Sequence, residues 1–118
     1  MAKEGKKEFT QQEIRDLFGE LYKALDDAYW SATTIVDKDR IRGVQEGVFD
    51  ILTELNRAHI QSNTEKFKEL VSKVDNVNKR LDLLKADIDK IVQRIEVAVR
   101  MTKIIDKVLT EGVKYFKI

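Results

Sequence analysis

Between Phe67 and Phe116, side chains recur at alternating steps of three and four: Phe67, Leu70, Val74, Val77, Leu81, Leu84, Ile88, Ile91, Ile95, Ala98, Thr102, Ile105, Leu109, Gly112 and Phe116. No step is skipped, and only Thr102 and Gly112 are not clearly apolar. A 3.5-residue repeat sustained this long keeps one helix face against a partner along its whole length. As a single helix this segment would be roughly 75 Å long. The remaining residues must supply what covers that face.

The first half of the chain carries a matching face. Thr10 and Glu13 have the spacing of a capping box, with Phe9 and Ile14 placed for a hydrophobic staple, so a helix starts here. Its apolar positions are Ile14, Leu17, Phe18, Leu21, Leu25, Ala28, Ala32 and Ile35, followed by Ile41, Val44, Val48, Ile51, Leu55 and Ala58. The stripe lapses at Asp37-Lys38-Asp39-Arg40, which predicts a kink or break near 36–40 in a helix spanning 10–60. The 118 residues contain no proline and only five glycines, so helix-stopping residues are scarce. Near the midpoint, Ser62 or Asn63 can cap a second helix over 63–116, and Ser62 with Glu65 repeats the capping-box spacing.

Folding one half back on the other aligns the stripes. Ala58 meets Phe67, Ile51 meets Val74, Ile41 meets Leu84, Ala28 meets Ala98 and Leu21 meets Ile105, with a register drift of one or two residues. Charge agrees with this pairing. Residues 8–39 hold three basic and eight acidic side chains, net −5, whereas residues 88–118 hold seven basic and four acidic, net +3. Exposed pairs contribute only about 0–1 kcal/mol each, so this charge asymmetry selects register more than it stabilises.

Two helices cannot bury all the apolar surface. Val92, Val97, Val99, Met101, Ile104, Val108 and Val113 lie outside the main stripe, and a patch of that size is larger than monomers usually leave in water. The expected fold is therefore all-α: a long antiparallel helical hairpin that dimerises into a four-helix bundle. The alternative is a compact monomeric four-helix bundle in which the second helix breaks near 86–89. Residues 1–8 are expected to be a flexible extension, and 9–118 a single helical domain.

Little in the chain suggests chemistry. There is no cysteine, which removes thiolate ligands and thiol nucleophiles. The one histidine, His59, has no carboxylate three or four residues before it, so the Glu-x-x-His pairs of di-iron bundles are absent. Ser31, Thr33, Thr34 and Thr102 have no general base at a recognisable spacing, and helical hydroxyls ordinarily bond their own backbone. No catalytic, cofactor or metal residue is predicted, and the chain is expected not to be an enzyme. Gly43-x-x-x-Gly47 predicts close approach of two helices rather than a phosphate loop.

Recognition of another protein is the expected activity, as a scaffold, adaptor or assembly component. Tyr22, Tyr29, Trp30, Tyr115 and Phe116 form an aromatic set near one end of the hairpin, and aromatic residues dominate interface hot spots. Val92, Val99, Ile104 and Val108 add aliphatic surface to the candidate interface. The expected partners are a second copy of the chain and an unidentified further protein. Net charge is +1, so no generic nucleic-acid binding is expected. The basic bias of 88–116 supports an alternative reading as an amphipathic membrane-surface helix. No run approaches the roughly 18 apolar residues needed to span a bilayer, and the first residues lack the apolar core of a secretory signal. A cytoplasmic location is the expectation.

Overall fold

The computed structural model describes residues 10–57 and 60–117. Among them are four α-helices: α1 (Gln11–Ser31), α2 (Ile35–Leu55), α3 (Thr64–Ile91) and α4 (Ile95–Phe116), with a 3₁₀ turn at Ile60–Ser62 before α3. Helix α1 packs on α2 and α4, and α3 packs on the same two, so the helices follow one another around the bundle. Each is antiparallel to its neighbours. The all-α bundle expected from the sequence is therefore present, closed within one chain.

The helix starts follow local chemistry. The Thr10 hydroxyl accepts from the Glu13 amide at 3.1 Å, and the Glu13 carboxylate accepts from the Thr10 amide at 2.8 Å, completing the capping box. Helix α3 is capped by Asn63, whose side-chain oxygen accepts from the Lys66 amide at 3.1 Å; Ser62 does not take that role. Helix α2 is capped by Thr34, which accepts from the Asp37 amide at 3.1 Å. Each such cap contributes about 1 kcal/mol. Helix α4 follows Arg94 with no side-chain cap.

Both long arms are broken, and not where the sequence suggested. The first breaks at 32–34, ahead of the predicted 36–40, so Asp37 to Arg40 lie in the opening turns of α2. The second arm is not one helix over 63–116: it breaks at 92–94, beyond the alternative position of 86–89. A 75 Å helix could not fit a molecule whose longest extent is 44 Å. The predicted hairpin is there, but folded in half. Its arms keep their expected pairing, α2 with α3 through Arg40–Asp87 at 2.9 Å and α1 with α4 through the Asp27–Arg100 ion pair. The two halves then pack face to face.

The surplus apolar residues explain the folding. Val92, Val97, Met101 and Val108 are buried in the single chain. Burying a large aliphatic side chain contributes roughly 1.5–3 kcal/mol. Each backbone hydrogen bond lost at a break costs only about 0.5–1.5 kcal/mol. Burial wins, and a second copy is not needed to cover these four.

The core runs through all four helices, with Phe18, Leu21, Leu25, Ile41, Ile51, Leu70, Leu81, Leu84 and Met101 fully buried. In α3 it follows the predicted stripe. In α4 it shifts to Ala98, Met101, Ile105, Val108, Gly112 and Tyr115, leaving Thr102 and Leu109 half-buried at its flank. Gly47 is a close-approach site, as expected: a Cβ there would lie 2.8 Å from Val77 Cγ2 of α3. Gly43 is not; its nearest neighbour is the Arg80 guanidinium at 3.8 Å.

Candidate functional site

The two breaks lie side by side at one end of the bundle, joined by an isolated antiparallel bridge between Ala32 and Val92. Both bridge residues are buried and close the last layer of the core. The apolar residues flanking that layer are left largely in solvent. Trp30 is 70% exposed, Ile35 78%, Val36 75% and Ile95 76%. Single exposed aliphatics are ordinary on protein surfaces, but four large apolar side chains left in solvent around one pair of connections are a candidate contact surface.

Side-chain contacts brace the patch from below. Tyr29 and Trp30 meet edge to face, with ring centroids 5.2 Å apart. Lys38 Nζ lies 4.8 Å from the Tyr29 centroid and 5.6 Å from that of Trp30, and donates to the Tyr29 carbonyl at 2.7 Å. The Arg42 guanidinium sits 4.1 Å over the Tyr29 ring and donates to Gln45 Oε1 at 2.9 Å. Buried Gln45 donates in turn to the Tyr22 carbonyl at 3.3 Å. Cation–π and charge-assisted contacts thus tie the end of α1 to the start of α2.

On the α4 side, Arg94 grips Glu96 through Nη2 at 2.6 Å and Nε at 3.1 Å. The Arg94 hydrogen bonds, helped by the Glu96 backbone amide and by the Arg94 charge, hold the Glu96 carboxyl below the usual glutamate range. An open depression runs between the breaks, lined by Asp27, Trp30, Thr33, Gln93, Glu96 and Arg100. Its charged groups are paired with one another, so it offers mixed polar contacts beside an apolar rim. Among the described residues no group of three His, Asp or Glu side chains is placed to hold a metal ion. No described helix is long and apolar enough to cross a membrane.

The structure divides the predicted interface residues. Trp30 is at the patch and Tyr29 is half-buried beneath it. Tyr22 is half-buried midway along α1, with its ring 6.2 Å from that of Phe49. Tyr115 and Phe116 are buried at the opposite end, where Phe116 meets Phe18 at 6.5 Å and Phe67 at 5.9 Å. Folding the hairpin in half separates aromatics that a straight hairpin would gather. Val92 and Val108 belong to the core, Ile104 is half-buried and Val99 is exposed. Much of the apolar face of α4 is packed inside the bundle, with Ile95, Val99 and Val113 left exposed. Residues 1–8, Phe9 of the staple and His59 lie outside the described residues.

Sequence reasoning missed Ile35, Val36 and Ile95 as surface residues. Ile35 and Ile95 sit on the apolar stripes and therefore read as core. The available signal was Thr34-x-x-Asp37, which has helix-start spacing and would have moved the first break upstream. Comparison with protein-family models, curated proteins and solved structures gave no match.

Proposed function

We propose that this chain is a non-enzymatic helical interaction module that associates with a second copy of itself, serving as a scaffold or assembly component. The observation that carries this reading is the exposed patch of Trp30, Ile35, Val36 and Ile95 at the double break. Removing such side chains from water contributes about 25 cal/mol per Å² of apolar area, and tryptophan is the residue most enriched at interface hot spots. Arg94, Glu96, Lys38 and Thr33 around the patch supply a polar rim of the kind that borders association surfaces.

Sedimentation equilibrium of the wild type against Trp30→Ser/Ile35→Ser/Ile95→Ser tests the reading. All three positions are largely exposed, so the triple variant is expected to keep its fold. The wild type should self-associate, and the variant should do so at least tenfold more weakly. Equal association of the two proteins would mean that the patch is not the contact surface.

A further inference from the structure

The geometry points to a specific mode of self-association: two copies open at both breaks and exchange halves, forming one longer four-helix bundle. This rests on the proposed self-association and adds its mechanism. Three observations carry it.

The first is that neither break contains a residue that forces a helix to stop. Ala32, Thr34, Val92 and Arg94 all adopt extended backbone angles, and among the described residues only Lys117 has a positive φ. Thr33 and Gln93 complete the connections, and both arms lack glycine and proline there. The second break also lacks a side-chain cap on the helix that follows it. Every residue of both connections is therefore compatible with continuous helix.

The second is where the exposed residues fall. Ile35 and Ile95 occupy stripe positions, yet are among the most exposed large apolar side chains. If both arms straighten, the 3–4 stripe runs unbroken from Ile91 through Ile95 to Ala98. In the antiparallel register Ile35 then meets Ile91, and Ile95 meets Ala32. Ile35 and Ile95, which the folded monomer leaves in water, are thus brought into the seam of a straight hairpin.

The third is that the packing interfaces survive exchange. Opening preserves α2 against α3 and α1 against α4 within each copy, including Arg40–Asp87 and Asp27–Arg100. It gives up α1 against α2 and α3 against α4. A second open copy supplies those surfaces with the same charge complementarity: Lys85 meets the partner copy's counterpart of Asp106, its contact within the monomer. The Gln11 amide contacts with the Leu55 and Arg57 carbonyls, and the Arg15–Asn56 hydrogen bond, likewise pass between copies. Exchange of identical elements costs no contact outside the hinge. The occupant of the opened face is thus a second copy of this chain. Within one chain the halves are tethered at high effective concentration, so the folded-back monomer prevails in dilute solution and the exchanged dimer grows with concentration.

The test is a distance measured inside one chain. Because the chain has no cysteine, Gln12→Cys/Thr53→Cys provides two unique spin-label sites at exposed positions of α1 and α2. Doubly labelled chain is unfolded and refolded with excess unlabelled chain, so that only distances within one copy are read, and the monomer and dimer fractions are separated. In the monomer, labels on neighbouring helices should be no more than roughly 20 Å apart. In the dimer they should be roughly 60 Å apart, since some forty residues of one continuous helix separate them. A dimer retaining the short distance overturns the exchange while leaving self-association standing. A chain that remains monomeric at all concentrations overturns both.

Discussion

Ala32 and Val92 face one another across an antiparallel bridge, one in each of the two helix breaks. The bridge fixes both folds of the hairpin at the same level, so the chain bends once as a unit. That shared bend creates both the closed core and the exposed apolar rim above it. Either arm bending elsewhere would misalign the halves.

Proline should lock the bend. Ile35 and Ile95 are the first residues of α2 and α4, where proline is favoured, and Thr34 and Arg94 before them already have the extended conformation that proline requires. Ile35→Pro/Ile95→Pro should retain the helical circular dichroism and unfold within about 1 kcal/mol of the wild type. A continuous helix through either site would cost about 3 kcal/mol. The double variant should therefore be monomeric at concentrations where the wild type associates. Loss of helix in the variant would show that the breaks are not at these positions.

The two glycines of α2 should respond in opposite directions. Gly43→Ala gains helix propensity without a clash and should stabilise by about 0.5–1 kcal/mol. Gly47→Ala drives a methyl group into Val77 Cγ2, which overpacking estimates put at roughly 1–3 kcal/mol. Urea unfolding of the two variants measures the difference directly. Equal stabilisation by both would mean that α2 and α3 are further apart at Gly47.

Asn78 is buried on α3, and neither its amide nitrogen nor its carbonyl oxygen has a protein partner. A buried polar group left unpaired costs about 1–3 kcal/mol. Asn78→Leu should accordingly raise the denaturation midpoint. A lower midpoint would mean that the amide is satisfied by a bound group whose removal is costly.

Tyr115 gives the fold a weakness at high pH. Burial pushes its phenol above the ordinary tyrosine value, and its hydroxyl has no partner. The raised value means that the unfolded chain loses this proton first. The folded state keeps its full stability below about pH 10 and loses stability as pH rises through the elevated value. Tyr115→Phe should abolish that alkaline loss and slightly stabilise at neutral pH. Glu96 acts at the other extreme: its lowered value contributes stability above the ordinary glutamate range, lost as pH falls. An alkaline unfolding profile unchanged by Tyr115→Phe would rule out the phenol as its source.

Much of this architecture was legible in the sequence because it is local or periodic. The Thr10–Glu13 box, the cap near Asn63, the stripe through α3, the pairing of acidic α1 with basic α4, and the close approach at Gly47 all follow from spacing and charge. The breaks were harder to read. A turn built from extended residues needs no glycine or proline, so Val92-Gln93-Arg94 looks like any stretch of helix. Its location is decided by burial of Val97, Met101 and Val108 against the other half, a tertiary effect that no local pattern records. The same cause hid the patch: Ile35 and Ile95 carry core periodicity and become surface only because the arms bend.

Self-association of the chain is read out by light scattering behind size exclusion across a hundredfold range of concentration. The mass should rise from 13.7 kDa toward twice that value as concentration increases, with the heavier species eluting as an elongated particle. A constant mass of one chain across the whole range would contradict it.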